Sequence, residues 1–230
     1  MLLECSDITF RYPGADNYVF NNLSLKITDP GFNGLFGPSG VGKTSLAKIV
    51  TGEIMGYSGE VKTKDMNNLL YSYNLERLPG WASVGNHIEK ITPSSKKERK
   101  NDLIGLFGIE KCMKLRFSQL SLGQQNRINL LRYLLQDFRL LIMDESLANV
   151  DERTREKIIL KIKDMFPETY FLYISHNVIE VSKYCKQILV LRSAHKVPQV
   201  LSIEGQNHMT DTTLRKNNLE NTMLEIMNAS

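Results

Sequence analysis

At 230 residues, with 42% hydrophobic and 23% charged residues, the chain has the balance of an ordinary soluble globular protein able to bury a sizeable core. The net charge of +4 is small and dispersed, which argues against a nucleic-acid partner, because phosphate-backbone binding needs a concentrated basic face. Cys5, Cys112 and Cys185 lack CxxC spacing and predict buried thiols in a reducing compartment, not a disulfide framework. The absence of a signal-like N-terminus and of any apolar run near the roughly 20 residues that span a bilayer predicts a cytoplasmic protein. If such a chain serves a membrane, it does so through a partner.

In chain order, Leu2–Phe10, Val19–Phe20, Leu23–Ile27 and Gly59–Thr63 read as antiparallel β pieces, separated by turns at Pro13-Gly14 and Asp29-Pro30-Gly31. Phe32–Phe36, Leu140–Met143, Phe171–Ile174 and Ile188–Leu191 are short apolar runs that predict buried strands. Helical spacing in Thr44–Val50, Gln124–Leu135 and Arg153–Phe166 alternates with them, which argues a mostly parallel sheet covered on both faces. Residues 83–135 lack strand patterning and predict a helical lobe. Within it, the basic run Lys96–Lys100 reads as a solvated helix face. Leu219, Met223, Ile226 and Met227 predict a terminal helix within 205–230, with no docking site evident and frayed ends expected.

The strongest motif is Gly37-Pro38-Ser39-Gly40-Val41-Gly42-Lys43-Thr44, which fits GxxxxGK[ST] between a strand and a helix. Glycines let backbone N–H groups approach phosphate oxygens, and the helix start adds its positive dipole end. Lys43 is expected to reach the β- and γ-phosphates, and Thr44, followed by Ser45, to present its hydroxyl to Mg²⁺. A chance match would not carry this strand–loop–helix context. The motif alone leaves kinases, GTPases, recombinases and transporter ATPases open.

Leu140–Met143 ends in Asp144-Glu145, two carboxylates at the carboxyl end of a buried strand, where ligands bind in sheets of this kind. Asp144 is expected in the Mg²⁺ shell and Glu145 as the general base that polarises water. The alternative, a pair that merely caps the next helix, fits less well beside the phosphate loop. No guanine-reading NKxD element is present.

About twenty residues earlier, Leu120-Ser121-Leu122-Gly123-Gln124-Gln125 resembles the LSGGQ signature of ABC ATPases, and Arg127 and Arg132 continue the likeness. Ser121 can donate a hydroxyl, and Gly123 with Gln124 at a helix start can offer amides to an anion. Leu122 stands where the family has glycine. The resemblance extends to about Ser202. It implies a P-loop NTPase α/β cassette with three parts: a RecA-like, mostly parallel sheet core, an antiparallel N-terminal β subdomain and an inserted helical lobe. Residues 1–82 and 136–204 would form the core and 83–135 the lobe.

By the same resemblance, Tyr12 stacks on adenine, Asp151 belongs to the D-loop, and His176 is the switch histidine that senses the γ-phosphate. Asn74 takes the Q-loop position, a carboxamide one methylene shorter than glutamine, expected near Mg²⁺ and the attacking water. Ser146 replaces a proline. Trp81 before Ala82-Ser83-Val84, the run from Leu147 to Arg155, and Ile188–Leu191 with Pro198 resemble the branch serving nitrate, sulfonate and taurine importers.

The resemblance therefore implies an ATP hydrolase that uses ATP and Mg²⁺ and works as a homodimer or heterodimer of cassettes. It would sit on the cytoplasmic face of a membrane against permease subunits, with an extracytoplasmic solute-binding protein as a further partner. Nucleic acid is not expected. An exporter or lipid-transport ATPase, or a soluble ABC ATPase outside transport, is the alternative.

Overall fold

The computed structural model describes residues 3–63, 68–74, 76, 80 and 82–230; Leu2 and Trp81 lie outside them. Strands β1 (Leu3–Phe10), β2 (Phe20–Ile27) and β4 (Ser58–Thr63) form an antiparallel sheet in the order β2-β1-β4. The two pieces expected at 19–27 are one strand, and its mismatch with β1 is absorbed by register shifts between Cys5 and Ile8 and between Ile8 and Phe10.

The second sheet runs β5-β6-β7-β3-β8-β9. Its members are β3 (Gly31–Phe36), β5 (Leu69–Tyr73), β6 (Leu140–Asp144), β7 (Tyr170–Ile174), β8 (Gln187–Leu191) and β9 (Val200–Glu204). The first five in that spatial order are parallel and β9 is antiparallel to β8. The central strands are apolar on both faces because both are covered. In β6, Leu140 and Ile142 pack with helix α1 (Lys43–Val50) and the antiparallel sheet, while Leu141 and Met143 face the other helices.

Those helices are α2 (Val84–Ile91), α3 (Lys97–Phe107), α4 (Leu122–Leu134), α5 (Glu152–Met165), α6 (Val178–Tyr184) and α7 (Lys216–Ala229). Val84, Ile88, Leu103, Phe107, Ile128 and Leu131 from the first three join the same buried cluster. One expectation needs correction, and one point left open by the sequence is answered. The basic run is not a free solvated face: Lys96 bonds Gln136 O and Asp137, Lys100 pairs with Glu89, and the Arg99 guanidinium lies 5.0 Å from the Phe166 ring centre. The terminal helix is docked, with Ile226 fully buried and Thr222 Oγ1 accepting from Gln206 Nε2 at 2.8 Å. All three cysteines are free and buried.

Candidate nucleotide site

The chain leaves β3, turns through residues 37–42 and enters α1 at Lys43. Gly42 caps this helix at φ 112°, and a Cβ there would stand 2.6 Å from Val19 Cγ1 and 2.9 Å from Phe20 Cε1. The position demands glycine on both counts. Gly42 brings no side-chain cap, so the first-turn N–H groups remain available to an anion.

Lys43 Nζ folds over its own loop, donating to Gly37 O at 2.7 Å and Pro38 O at 2.9 Å. Burial lowers the ammonium's pKa from its ordinary value, while Glu145 and Asp144 act the other way. These two carboxylates therefore oppose the cost of holding a cation in the loop.

Thr44 Oγ1 donates to Asp144 Oδ2 at 2.8 Å, joining residues a hundred positions apart. Asp144 is buried at the end of β6. The next residue, Glu145, sits at φ 50°, a conformation non-glycine residues rarely adopt. Its N–H donates to Ile174 O at 3.1 Å, and its Oε1 lies 3.1 Å from His176 Nδ1. The sharp turn after the strand aims Glu145 away from Asp144's direction and towards the histidine.

A cleft of about 610 Å³ opens over these groups, lined by Ser39, Gly40, Lys43, Thr44, Asp144 and Glu145 among others. Ser45 and Asn74 also line it. Asn74 N–H donates to Asp144 O at 3.0 Å, and its Oδ1 accepts from Asn126 Nδ2 at 2.9 Å. Val41 N–H closes the loop onto Pro38 O at 3.4 Å. Tyr12 is about half exposed, with its hydroxyl 2.9 Å from Ser45 Oγ and its ring edge-on to Phe10. It thus stands beside the loop.

Ser121, Gly123, Gln124 and Asp151 do not line this cleft. Ser121 caps α4: its Oγ accepts from Gln124 N–H at 3.3 Å, while Gln124 Oε1 accepts from Ser121 N–H at 2.9 Å. A Cβ on Gly123 would lie 2.3 Å from Asn149 O, so glycine is required by close backbone approach. Leu122 begins the helix with its side chain half exposed and meets no steric objection to its place. Asp151 caps α5 by accepting from Thr154 N–H at 2.9 Å, and these hydrogen bonds hold its carboxyl below the usual range.

Several supporting groups escape a reading of the sequence. Tyr71 donates to Asp144 Oδ2 at 2.9 Å. Asn126 joins Asn74 to Ala148 O, which its Nδ2 also reaches at 2.6 Å. Glu180 accepts from Tyr173, Ser175, Asn177 and Arg155, fixing the backbone on both sides of His176. Ser146, in the place of a proline, donates to Ser72 O and contacts Ser72 Oγ, tying the acid pair to β5.

Residues 20–148 match the family model described as ABC transporter. The chain is 27% identical over 207 residues to the spermidine/putrescine import ATP-binding protein PotA of Borreliella afzelii, covering 83% of this chain and 60% of that protein. It is 26% identical over 210 residues to the sn-glycerol-3-phosphate import ATP-binding protein UgpC of Chromobacterium violaceum, covering 84% and 57%. The chain thus spans about 60% of the length of the curated relatives it matches. A solved ATP-binding subunit of an ABC transporter superposes with a TM-score of 0.80 at 17% identity, over 99% of this chain and 100% of that one. A bacterial ABC transporter cassette in dimeric form gives 0.74 at 19%, over 88% and 98%. Motif, geometry and family match agree: the chain belongs to the ABC transporter family and has the α/β fold of its ATP-binding cassettes.

Proposed function

We propose that this chain is the ATP-hydrolysing cassette of an ABC importer. The observation that carries the proposal is one constellation: Glu145 beside His176, adjacent to Asp144 and Thr44, facing the anion-binding loop. Lys43 and the amides around Gly40, Gly42 and Thr44 hold the phosphates. Tyr12 offers a face for adenine at the loop's edge. Thr44 and Asp144 present hard oxygen atoms that suit Mg²⁺, with Asn74 close by, and the ion would neutralise charge between the β- and γ-phosphates. Glu145 accepts the proton of the attacking water, and His176 orients Glu145 and meets the γ-phosphate.

Ser121, Gly123, Gln124 and Asp151 serve a second cassette's nucleotide, which accounts for their position outside their own cleft. Function then requires a homodimer or heterodimer closing over two nucleotides, a population shift that moves permease subunits. On this reading the chain works at the cytoplasmic face of a membrane. No helix among the described residues is long and apolar enough to cross one; on this reading the membrane-spanning part is a separate permease, with a solute-binding protein as a further partner.

Relatives named as importers support import of a small solute. An anion or sulfonate cargo rests on the weaker likeness of 147–155 and 188–198 to one importer branch, while the curated relatives serve spermidine/putrescine, sn-glycerol 3-phosphate and molybdenum. Replacing the base tests the core claim. Glu145→Gln is expected to abolish steady-state hydrolysis and trap an ATP-bound dimer on size exclusion. Wild-type turnover in that variant would remove Glu145 from the role.

A further inference from the structure

The carboxylate of Asp144 is clamped by two donors, not one. Thr44 Oγ1 and Tyr71 Oη both reach Oδ2, at 2.8 and 2.9 Å. Thr44 belongs to the phosphate loop. Tyr71 comes from the neighbouring strand, where β5 pairs with β6 so that Tyr71 lies opposite Ile142 and Tyr73 opposite Asp144. The phenol therefore reaches two residues forward along the sheet. Its ring is buried in the core shared with Leu140 and Ile142 and rests 5.5 Å from the Tyr73 ring centre, and Tyr71 also borders the nucleotide cleft.

The arrangement divides the carboxylate's labour. Oδ2 takes both donors, while Oδ1 accepts no hydrogen bond from the described residues. Thr44 has a single proton and has given it to Asp144, which leaves its oxygen lone pairs free for a cation. A threonine hydroxyl alone would have to serve as hinge and ligand together. A donor on a packed aromatic ring removes the hinge duty.

We propose, on the reading of the chain as a Mg-ATP cassette, that Tyr71 is a positioning residue that fixes Asp144 for the divalent cation carried with the nucleotide. Tyr71→Phe keeps the ring and its packing and deletes the donor.

The test is isothermal titration of the purified full chain with ATP, once with Mg²⁺ and once in a chelator, alongside thermal unfolding. Tyr71→Phe is expected to weaken binding of Mg-ATP roughly fivefold to tenfold and to leave metal-free ATP within about twofold. Tyr71→Met, which also lacks the donor but packs differently, carries the same expectation if Tyr71→Phe yields too little folded protein. In an Asp144→Asn background, Tyr71→Phe adds nothing further to the loss. An unchanged Mg²⁺-dependent gain, or equal losses with and without the ion, would overturn the positioning role. A wild-type chain that shows no Mg²⁺-dependent gain would overturn the cassette reading, and the role of Tyr71 with it.

Discussion

The phosphate loop and the signature turn are both helix starts, yet they are finished in opposite ways. Gly42 gives α1 no side-chain cap, and long-range bonds hold the loop: Thr44 to Asp144 and Tyr12 to Ser45. Ser121 gives α4 a reciprocal cap whose partners lie three residues apart, and both sit towards solvent. The first region leaves the first-turn N–H groups of α1 uncapped and has its frame fixed by its own chain. The second has two N–H donors, those of Ser121 and Gln124, already occupied by its own side chains, while the Ser121 hydroxyl keeps its proton for an incoming group. On the proposed function, that asymmetry suits a composite site in which one half holds nucleotide alone and the other waits for it.

The largest effect is expected where the frame itself is struck. Gly42→Val forces a side chain into Val19 and Phe20 at φ 112°, costing about 3 kcal/mol or more and lowering Tm by on the order of 10 °C. Calorimetry reads both. Lys43→Ala sharpens the contrast by leaving the frame standing: nucleotide affinity falls roughly a hundredfold as a charge-assisted phosphate contact is lost, with little change in Tm.

Gly123→Ala addresses the other half. Its Cβ would meet Asn149 O at 2.3 Å, for a cost of about 1–3 kcal/mol. Nucleotide binding by the monomer should persist within about twofold, while ATP-dependent dimerisation on size exclusion is lost. Ser121→Ala is the mildest, removing a cap worth about 1 kcal/mol. Turnover should fall while monomer affinity holds, and an equal loss of both would contradict the division between the two helix starts.

The parts of the site that were legible in the sequence are those written in contiguous residues. Gly37–Thr44 announces itself because the loop's backbone demands, the lysine and the threonine fall within eight positions. Asp144-Glu145 is visible because a buried parallel strand leaves an unbroken apolar run before the carboxylates. What stayed hidden is made by pairs far apart. Tyr71 and Asp144 are 73 residues apart, and Asn74 and Asn126 are 52, so neither bond leaves a periodic trace.

Strands β5 and β9 went unseen because edge strands are short and carry polar residues: Ser72 and Tyr73 in one, Ser202 and Glu204 in the other. The basic run misled for a related reason. Its partners Glu89, Asp137 and Phe166 come from other segments, and local charge spacing says nothing of them. The docking of α7 likewise turns on Ile226 finding the shared core.

The stretch between Glu145 and Asp151 carries a constraint of a different kind. Besides the buried side chains of Ser146, Leu147 and Val150, three of its backbone oxygens hold the rest of the molecule: Ala148 O holds Asn126, Val150 O holds Arg155, and Asn149 O lies against Gly123. Both Glu145 and Asn149 adopt left-handed backbone conformations. In engineering terms, such a segment has a fixed gauge. Inserting or deleting one residue would shift three carbonyls at once and uncouple the acid pair from the signature helix.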